Sequence, residues 1–297
     1  MEKVKLSNRL ESIVGMVTPK SRVCDVGCDH AFTDIALVQR GIAVKALAMD
    51  VKEGPLERAK EHIAEYGLED LIVTRLSNGL KKYSIGEADS LIISGMGGPL
   101  MQSILSENWN NTRDFKEMIF SPQSEIYEFR CFLKENGIEI IDEDMVKEDG
   151  KYYTIIKCKF KKNSSMKKLL SAEDMCEGAA DASCTEAESA GNALCTEAEA
   201  AGNASCTEAE ATGNASCTET EAAGNTARED LSFGPKLIEK RSQVLRMFLS
   251  EDKRKKEAIL NRLIATAENS AKNLKRIGEL TDEINMIKNV LARMGEG

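Results

Sequence analysis

Hydrophobic positions in the first 160 residues follow two periods in turn. Short apolar runs bounded by turn residues predict strands at Arg22–Val26, Ala43–Asp50, Leu71–Leu76, Ser90–Ser94 and Glu117–Ser121. Helical spacing predicts helices at Ala31–Arg40, Gly54–Tyr66, Pro99–Glu107 and Glu125–Asn136. In the second of these Leu56, Ala59, Ile63 and Ala64 share a side; in the last, Ile126, Phe129 and Leu133 do. Ile138–Val146 and Tyr152–Phe160 then alternate with period two around the turn Glu148-Asp149-Gly150. Strand and helix in alternation imply an open, mostly parallel α/β sheet, and the hairpin adds antiparallel strands at its edge.

The pattern changes after residue 160. Residues 184–227 hold four copies of an eleven-residue unit: CTEAESAGNAL, CTEAEAAGNAS, CTEAEATGNAS and CTETEAAGNTA. Each copy carries Gly-Asn, and beyond Leu194 none has a large apolar residue, so little surface can be buried to offset the entropy of ordering. Residues 171–230 are therefore expected to be a disordered or loosely helical linker. From Phe233 onward helical spacing returns. Leu237, Ile238, Val244, Leu245, Phe248, Ile259, Leu260, Leu263 and Ile264 mark one helix; Leu274, Ile277, Ile284, Ile287, Leu291 and Met294 mark another. A break near Asn269-Ser270 predicts an antiparallel coiled-coil hairpin. The expected organisation is a domain at 1–160, a linker at 161–230 and a helical hairpin at 231–297.

The net charge of −9 is unevenly placed. Residues 176–225 carry ten acidic and no basic side chains, whereas 226–297 carry fifteen basic against eleven acidic. The acidity belongs largely to the repeats and does not exclude a polyanionic partner. Four of the nine cysteines (Cys184, Cys195, Cys206, Cys217) recur with the repeat, and no paired CxxC spacing exists. With His30 and His62 the only histidines, no metal is expected. The N-terminus lacks an apolar core followed by small residues, and no run approaches the length of a membrane span, so a cytoplasmic protein is expected.

In an open parallel sheet, ligands bind beyond the carboxyl ends of the strands. The first strand ends in Asp25-Val26-Gly27-Cys28-Asp29-His30, where Gly27 lets backbone approach a ligand and the next helix offers free N–H groups. The second ends in Asp50, an acceptor for two ribose hydroxyls. Ser77-Asn78-Gly79 follows the third, with an amide suited to an adenine edge, and Gly95-Met96-Gly97-Gly98 follows the fourth. Each segment alone has an ordinary explanation as a loop, cap or tight turn. Four successive strand ends with compatible chemistry make one pocket the stronger reading. A nicotinamide-dependent oxidoreductase would need GxGxxG after the first strand, where a lone Gly27 stands.

These motifs resemble the bacterial tRNA (adenine(22)-N1)-methyltransferases. The residues that carry the resemblance are LSNRL at 6–10, DVGCDHAF at 25–32, EGPLERAK at 53–60, NGL at 78–80, IISGMGGPLM at 92–101, SPQ at 121–123, EDGKYYTI at 148–155 and FGP at 233–235. The resemblance implies a Rossmann-like class I methyltransferase sheet with a terminal β-hairpin and a C-terminal antiparallel coiled-coil hairpin. It also implies S-adenosyl-L-methionine held by Asp25, Gly27, Asp50, Asn78, Gly79, Gly95, Met96 and Gly97, and transfer of its methyl group to N1 of an adenine in tRNA. Thr33-Asp34 stands where the family often has Leu-Pro, and Asn78 where it often has Asp. These departures keep open a non-catalytic or differently specific RNA-binding protein.

Adenine N1 has a lone pair, so the task is alignment of donor and acceptor and stabilisation of the arriving positive charge. Asp29 and His30 are the expected catalytic residues: Asp29 by attracting that charge or accepting a proton from the exocyclic amine, with cofactor binding or helix capping as its alternatives, and His30 as hydrogen-bond donor or stacking surface, with a structural role as its alternative. A base inside a folded tRNA must be extruded to be reached. Phe32 or Met96 is expected at the flipped ring, and Arg9 at a phosphate or at the cofactor carboxylate. Lys253, Arg254, Lys255, Lys256, Lys275 and Arg276 are expected as a phosphate clamp, although charges on a coiled coil commonly form only its solvated face.

Overall fold

The computed structural model describes residues 3–161, 216–265 and 270–295. In chain order its elements are α1 (Asn8–Met16), β1 (Ser21–Val26), α2 (Phe32–Gln39), β2 (Ala43–Asp50), α3 (Glu53–Glu65), β3 (Ile72–Leu76) and β4 (Ser90–Ser94). There follow α4 (Gly98–Glu107), α5 (Trp109–Thr112), β5 (Glu117–Ser121), α6 (Ile126–Glu135), β6 (Ile138–Glu148) and β7 (Lys151–Phe160). Last come α7 (Ser216–Phe233), α8 (Pro235–Glu239), α9 (Gln243–Ala265) and α10 (Ala271–Arg293). The seven strands form one sheet in the order β3-β2-β1-β4-β5-β7-β6. The first five are parallel, and β7 pairs antiparallel with both β5 and β6.

The period-two reading of the strands now has two physical faces. Val23, Ala46, Ala48 and Ile92 pack with Ile35 of α2 and Leu56, Ala59 and Ile63 of α3. Cys24, Val26, Leu91 and Ile93 face the other way, against Met101, Ile104 and Leu105 of α4 and Phe129 of α6. Phe120 and Phe129 meet edge-on at 5.2 Å with both rings fully buried; each such side chain contributes about 1.5–3 kcal/mol. On the first face, Asp25 follows Val23 in the alternation and so points toward α2.

Helix ends follow local chemistry. Ser7 caps α1 by accepting from the Leu10 N–H, Pro99 lies in the first turn of α4, and Ser270 caps α10 by accepting from the Asn273 N–H. The expected hairpin forms from α9, which ends at Ala265, and α10, which begins at Ala271. Its base is sealed by Leu245, Leu249, Ile287, Val290 and Met294, together with Met145 of β6. The described residues of 1–162 and 223–297 accordingly pack as one unit.

Two features depart from the sequence reading. The single helix expected from Leu237 to Ile264 is two, α8 and α9, because Arg241 adopts a left-handed φ of 53° and the Ser242 hydroxyl accepts from the Leu245 N–H to start a new helix. Ile259, Ile264 and Leu274, which belong to the apolar stripes in sequence, are exposed. Helix α7 begins at Ser216, inside the segment read as a disordered or loosely helical linker; residues 171–215 of that segment lie outside the described residues. No helix among the described residues is long and apolar enough to cross a membrane.

Candidate active site

The carboxyl ends of β1, β2 and β4 open into one cavity of about 470 Å³. Its floor is the turn after β1. The N–H groups of Gly27 and Cys28 both donate to the Met49 carbonyl, at 2.8 and 3.1 Å, which folds the turn onto the end of β2. Gly27 has φ 84°, a conformation that side chains resist, and a Cβ there would stand 2.3 Å from Met96 Cε. Asp29 (φ 48°) and Ala31 (φ 57°) are left-handed without being glycine, a strained stretch of the kind found at functional sites.

Asp25, Gly27, Cys28, Asp29, His30, Phe32 and Thr33 supply one wall of the cavity; Asp50, Val51, Lys52 and Pro55 supply the next. Ser94, Gly95, Met96 and Gln123 close it from the β4 side, with Arg9 and Leu10 of α1 at the edge. Asp25 is 3% exposed, and its Oδ1 has no hydrogen-bond partner in the structure. Burial, then the negative charge of Asp50, push its carboxyl up to about 7, against a hydrogen bond from Asp34 that lowers it. Asp50 Oδ1 accepts from the Lys52 N–H at 2.9 Å.

At the mouth, aromatic rings gather. Phe32 stacks on His62 at 4.6 Å between centroids and on His30 at 5.6 Å. His62 Nδ1 lies 3.2 Å from the His30 carbonyl, while His30 Nδ1 is buried without a partner. Asp29 faces solvent beside Arg58, 3.4 Å away, and His30, 3.6 Å away. The Arg9 guanidinium lies over the Tyr153 ring at 5.2 Å.

The structure thus brings Asp25, Gly27, Asp50, Gly95, Met96, Asp29, His30, Phe32 and Arg9 to one cavity. Three residues expected there do not line it. Asn78 is exposed beyond β3, and Gly79 packs on Ile104, 3.1 Å from where its Cβ would stand. Gly97 is needed by a protein contact: a Cβ there would meet Ser124 Oγ at 2.8 Å, as one at Gly98 would meet the Ser124 and Glu125 carbonyls at 2.9 Å. The second half of GMGG therefore lets α4 start against the loop after β5, and the first half faces the cavity.

The sequence reading missed Asp34, Lys52, Arg58, His62 and Gln123 as site residues. Asp34 is buried because the whole stretch Thr33–Val38 of α2 is, which helical spacing does not reveal; Gln123 reaches the cavity only because its N–H donates to the Met96 carbonyl at 2.9 Å. Of the expected clamp, Lys256 pairs with Asp252 and Glu283, Arg276 with Glu279 and Glu283, and Lys253 with Glu257. Arg254, Lys255 and Lys275 are exposed, and none forms an ion pair among the described residues. No group of three metal-ligating side chains exists among the described residues.

An α/β sheet ending in an antiparallel β7-β6 edge, with an acid-lined cavity at its switch point, defines a class I methyltransferase fold. Residues 6–156 match the family described as a methyltransferase domain, and the chain belongs to that family. More particularly, it is 31% identical over 156 residues to the tRNA (adenine(22)-N(1))-methyltransferase of Bacillus subtilis, a match spanning 52% of this chain and 66% of that enzyme, just under two thirds of its length. A crystal structure of a Streptococcus pneumoniae protein assigned as a tRNA (m1A22) methyltransferase superposes with a TM-score of 0.68 at 26% identity, covering 97% of this chain and all of that one. The same protein in complex with S-adenosyl-L-methionine superposes with a TM-score of 0.66 at 25% identity, with equal coverage.

Proposed function

We propose that the protein transfers a methyl group from S-adenosyl-L-methionine to N1 of an adenine in tRNA, at position 22. The observation that carries the reading is the buried Asp25 carboxyl, whose Oδ1 has no hydrogen-bond partner, in a cavity bounded by Gly27, Asp50 and Gly95. A buried acceptor without a donor is costly, and a cationic ligand would relieve it. The named activity of the Bacillus relative supports the choice of substrate.

In this reading Asp25, Gly27, Asp50, Gly95 and Met96 hold the cofactor, which supplies an electrophilic methyl group. Asn78, Gly79 and Gly97 act at a distance, by shaping the loops behind that wall. The adenine enters past Phe32, whose ring, with His30 and His62, offers a stacking surface. Asp29 is exposed at this mouth, where it can attract the positive charge that arrives on the ring without first accepting a proton. Arg9 meets the backbone or base at the edge, and Arg254, Lys255 and Lys275, with the paired Lys253, Lys256 and Arg276, attract phosphates. Such an enzyme works in the cytoplasm.

The test is to incubate purified protein with methyl-labelled S-adenosylmethionine and unmodified tRNA, then digest and identify the labelled nucleoside. The expected product is 1-methyladenosine mapped to position 22. Label in another nucleoside, or none, overturns the reading.

A further inference from the structure

We infer that Asp34 is a positioning residue that holds the cofactor-facing carboxylate of Asp25 through a proton shared between the two side chains. The inference rests on the proposed use of the cavity by S-adenosylmethionine. Asp34 lies on α2 and is 0% exposed, and Asp25 lies on β1 on the sheet face that α2 covers. Outside these two residues, neither Asp34 oxygen, nor Asp25 Oδ1, has a hydrogen-bond donor, so three buried acceptor atoms depend on what the pair itself supplies. Among the described residues no lysine, arginine or histidine supplies a donor. The titratable groups nearest the pair are Cys28 in the following turn and Asp50 at the end of β2, with Cys24 on the opposite face of β1, and none of them is cationic.

Two ionised carboxylates cannot persist together in such a place, because each removes the other's solvent and adds its own repulsion. One proton resolves the conflict. Asp34 is the deeper group: Asp25 lines the cavity and Asp34 does not. Burial first, and the Asp25 charge second, keep the Asp34 carboxyl well above the ordinary range, so Asp34 retains the proton. As a carboxylic acid it donates to Asp25, which favours the ionised form of Asp25 and fixes its orientation. The remaining Asp25 oxygen is then aimed at the cavity as a charged acceptor for an ammonium group.

The choice of variants separates this from a packing role. Asp34→Asn keeps a donor at the same place; Asp34→Leu keeps the volume and removes it. Binding of S-adenosylhomocysteine is measured by calorimetry between pH 6 and 9. Asp34→Leu is expected to bind at least about tenfold more weakly at pH 7, with its affinity still rising toward pH 9 as Asp25 ionises late. Asp34→Asn is expected to restore the wild-type affinity and pH profile. Equal affinity and profile in wild type and Asp34→Leu would overturn the proposal while leaving the function intact. Failure of the wild type to bind S-adenosylhomocysteine at all would overturn the function reading and this one with it. A carboxyl 13C NMR titration of the wild type provides a test that needs no variant: Asp34 is expected to be protonated at pH 7, and an ionised Asp34 there sinks the proposal.

Discussion

Where the sheet meets the C-terminal helices, Arg130 of α6 is 2% exposed and Glu143 of β6 is 1% exposed, and they form a buried ion pair at 2.9 Å. Arg130 Nη1 also donates to the carbonyls of Leu231 and Ser232, at 3.1 and 3.2 Å, and Glu143 Oε2 accepts from the Lys236 N–H at 3.0 Å. The pair thus ties α6, β6 and the joint between α7 and α8 together. Truncating Arg130 to Ala leaves a buried carboxylate with one remaining N–H donor and two carbonyls without partners. Breaking a buried pair in this way costs about 3–5 kcal/mol, a large share of the roughly 5–15 kcal/mol by which domains are stable. Replacing both partners by apolar residues of similar size (Arg130→Met with Glu143→Leu) removes the stranded charge, so the double variant should recover most of that loss. Urea denaturation of the wild type, both singles and the double, followed by circular dichroism, gives the cycle directly. A loss below about 1 kcal/mol in Arg130→Ala, or a double variant as unstable as the two singles summed, would refute the reasoning.

Other expectations follow from the same structure. Because burial raises the Asp25 carboxyl to about 7, the folded chain binds more protons than the unfolded chain between the ordinary carboxylate range and pH 7, and stability falls as pH rises through that window. Asp25→Asn should therefore melt at least about 2 °C higher than wild type at pH 8, show no such gain at pH 4, and lose affinity for S-adenosylhomocysteine; a lower melting temperature at pH 8 contradicts the sign. Charge reversal of Arg254, Lys255 and Lys275 should raise the KM for tRNA and flatten its salt dependence without changing binding of S-adenosylhomocysteine. An unchanged salt slope removes these residues from the tRNA interface. Deletion of residues 176–215 is expected to leave folding and tRNA methylation intact, since the repeats carry little that a core can use; loss of either assigns them a necessary role.

Much of the architecture was legible along the chain because strand and helix periods are local properties. β2, β4 and β5 begin and end where the apolar runs do, and Ser270 marks the start of α10 through its own hydroxyl. The cavity wall made by Asp25, Gly27, Asp50 and Gly95 was legible as well, since each residue directly follows or ends a strand and parallel strands bring their ends together. Two things needed tertiary structure. The first is what each glycine is for: Gly27 faces the cavity, whereas Gly79 answers to Ile104 and Gly97 to Ser124, contacts between segments distant in the chain. The second is side-chain direction past an irregularity. A register shift between Ile140 and Asp142 inserts one residue into β6, which turns Glu143 to the same face as Ile138 and Ile140, toward Arg130. Period two alone would send Glu143 the other way. The sequence by itself determined the seven strands, the helices α2, α3, α4 and α6 and the C-terminal hairpin, because backbone preference and apolar spacing act over a few residues; α1, α5, α7 and the break between α8 and α9 were not marked by that spacing. Which buried ionisable groups meet, Arg130 with Glu143 and Asp34 with Asp25, was decided only by packing, because the partners lie on different elements and their cost in isolation is met only where those elements touch.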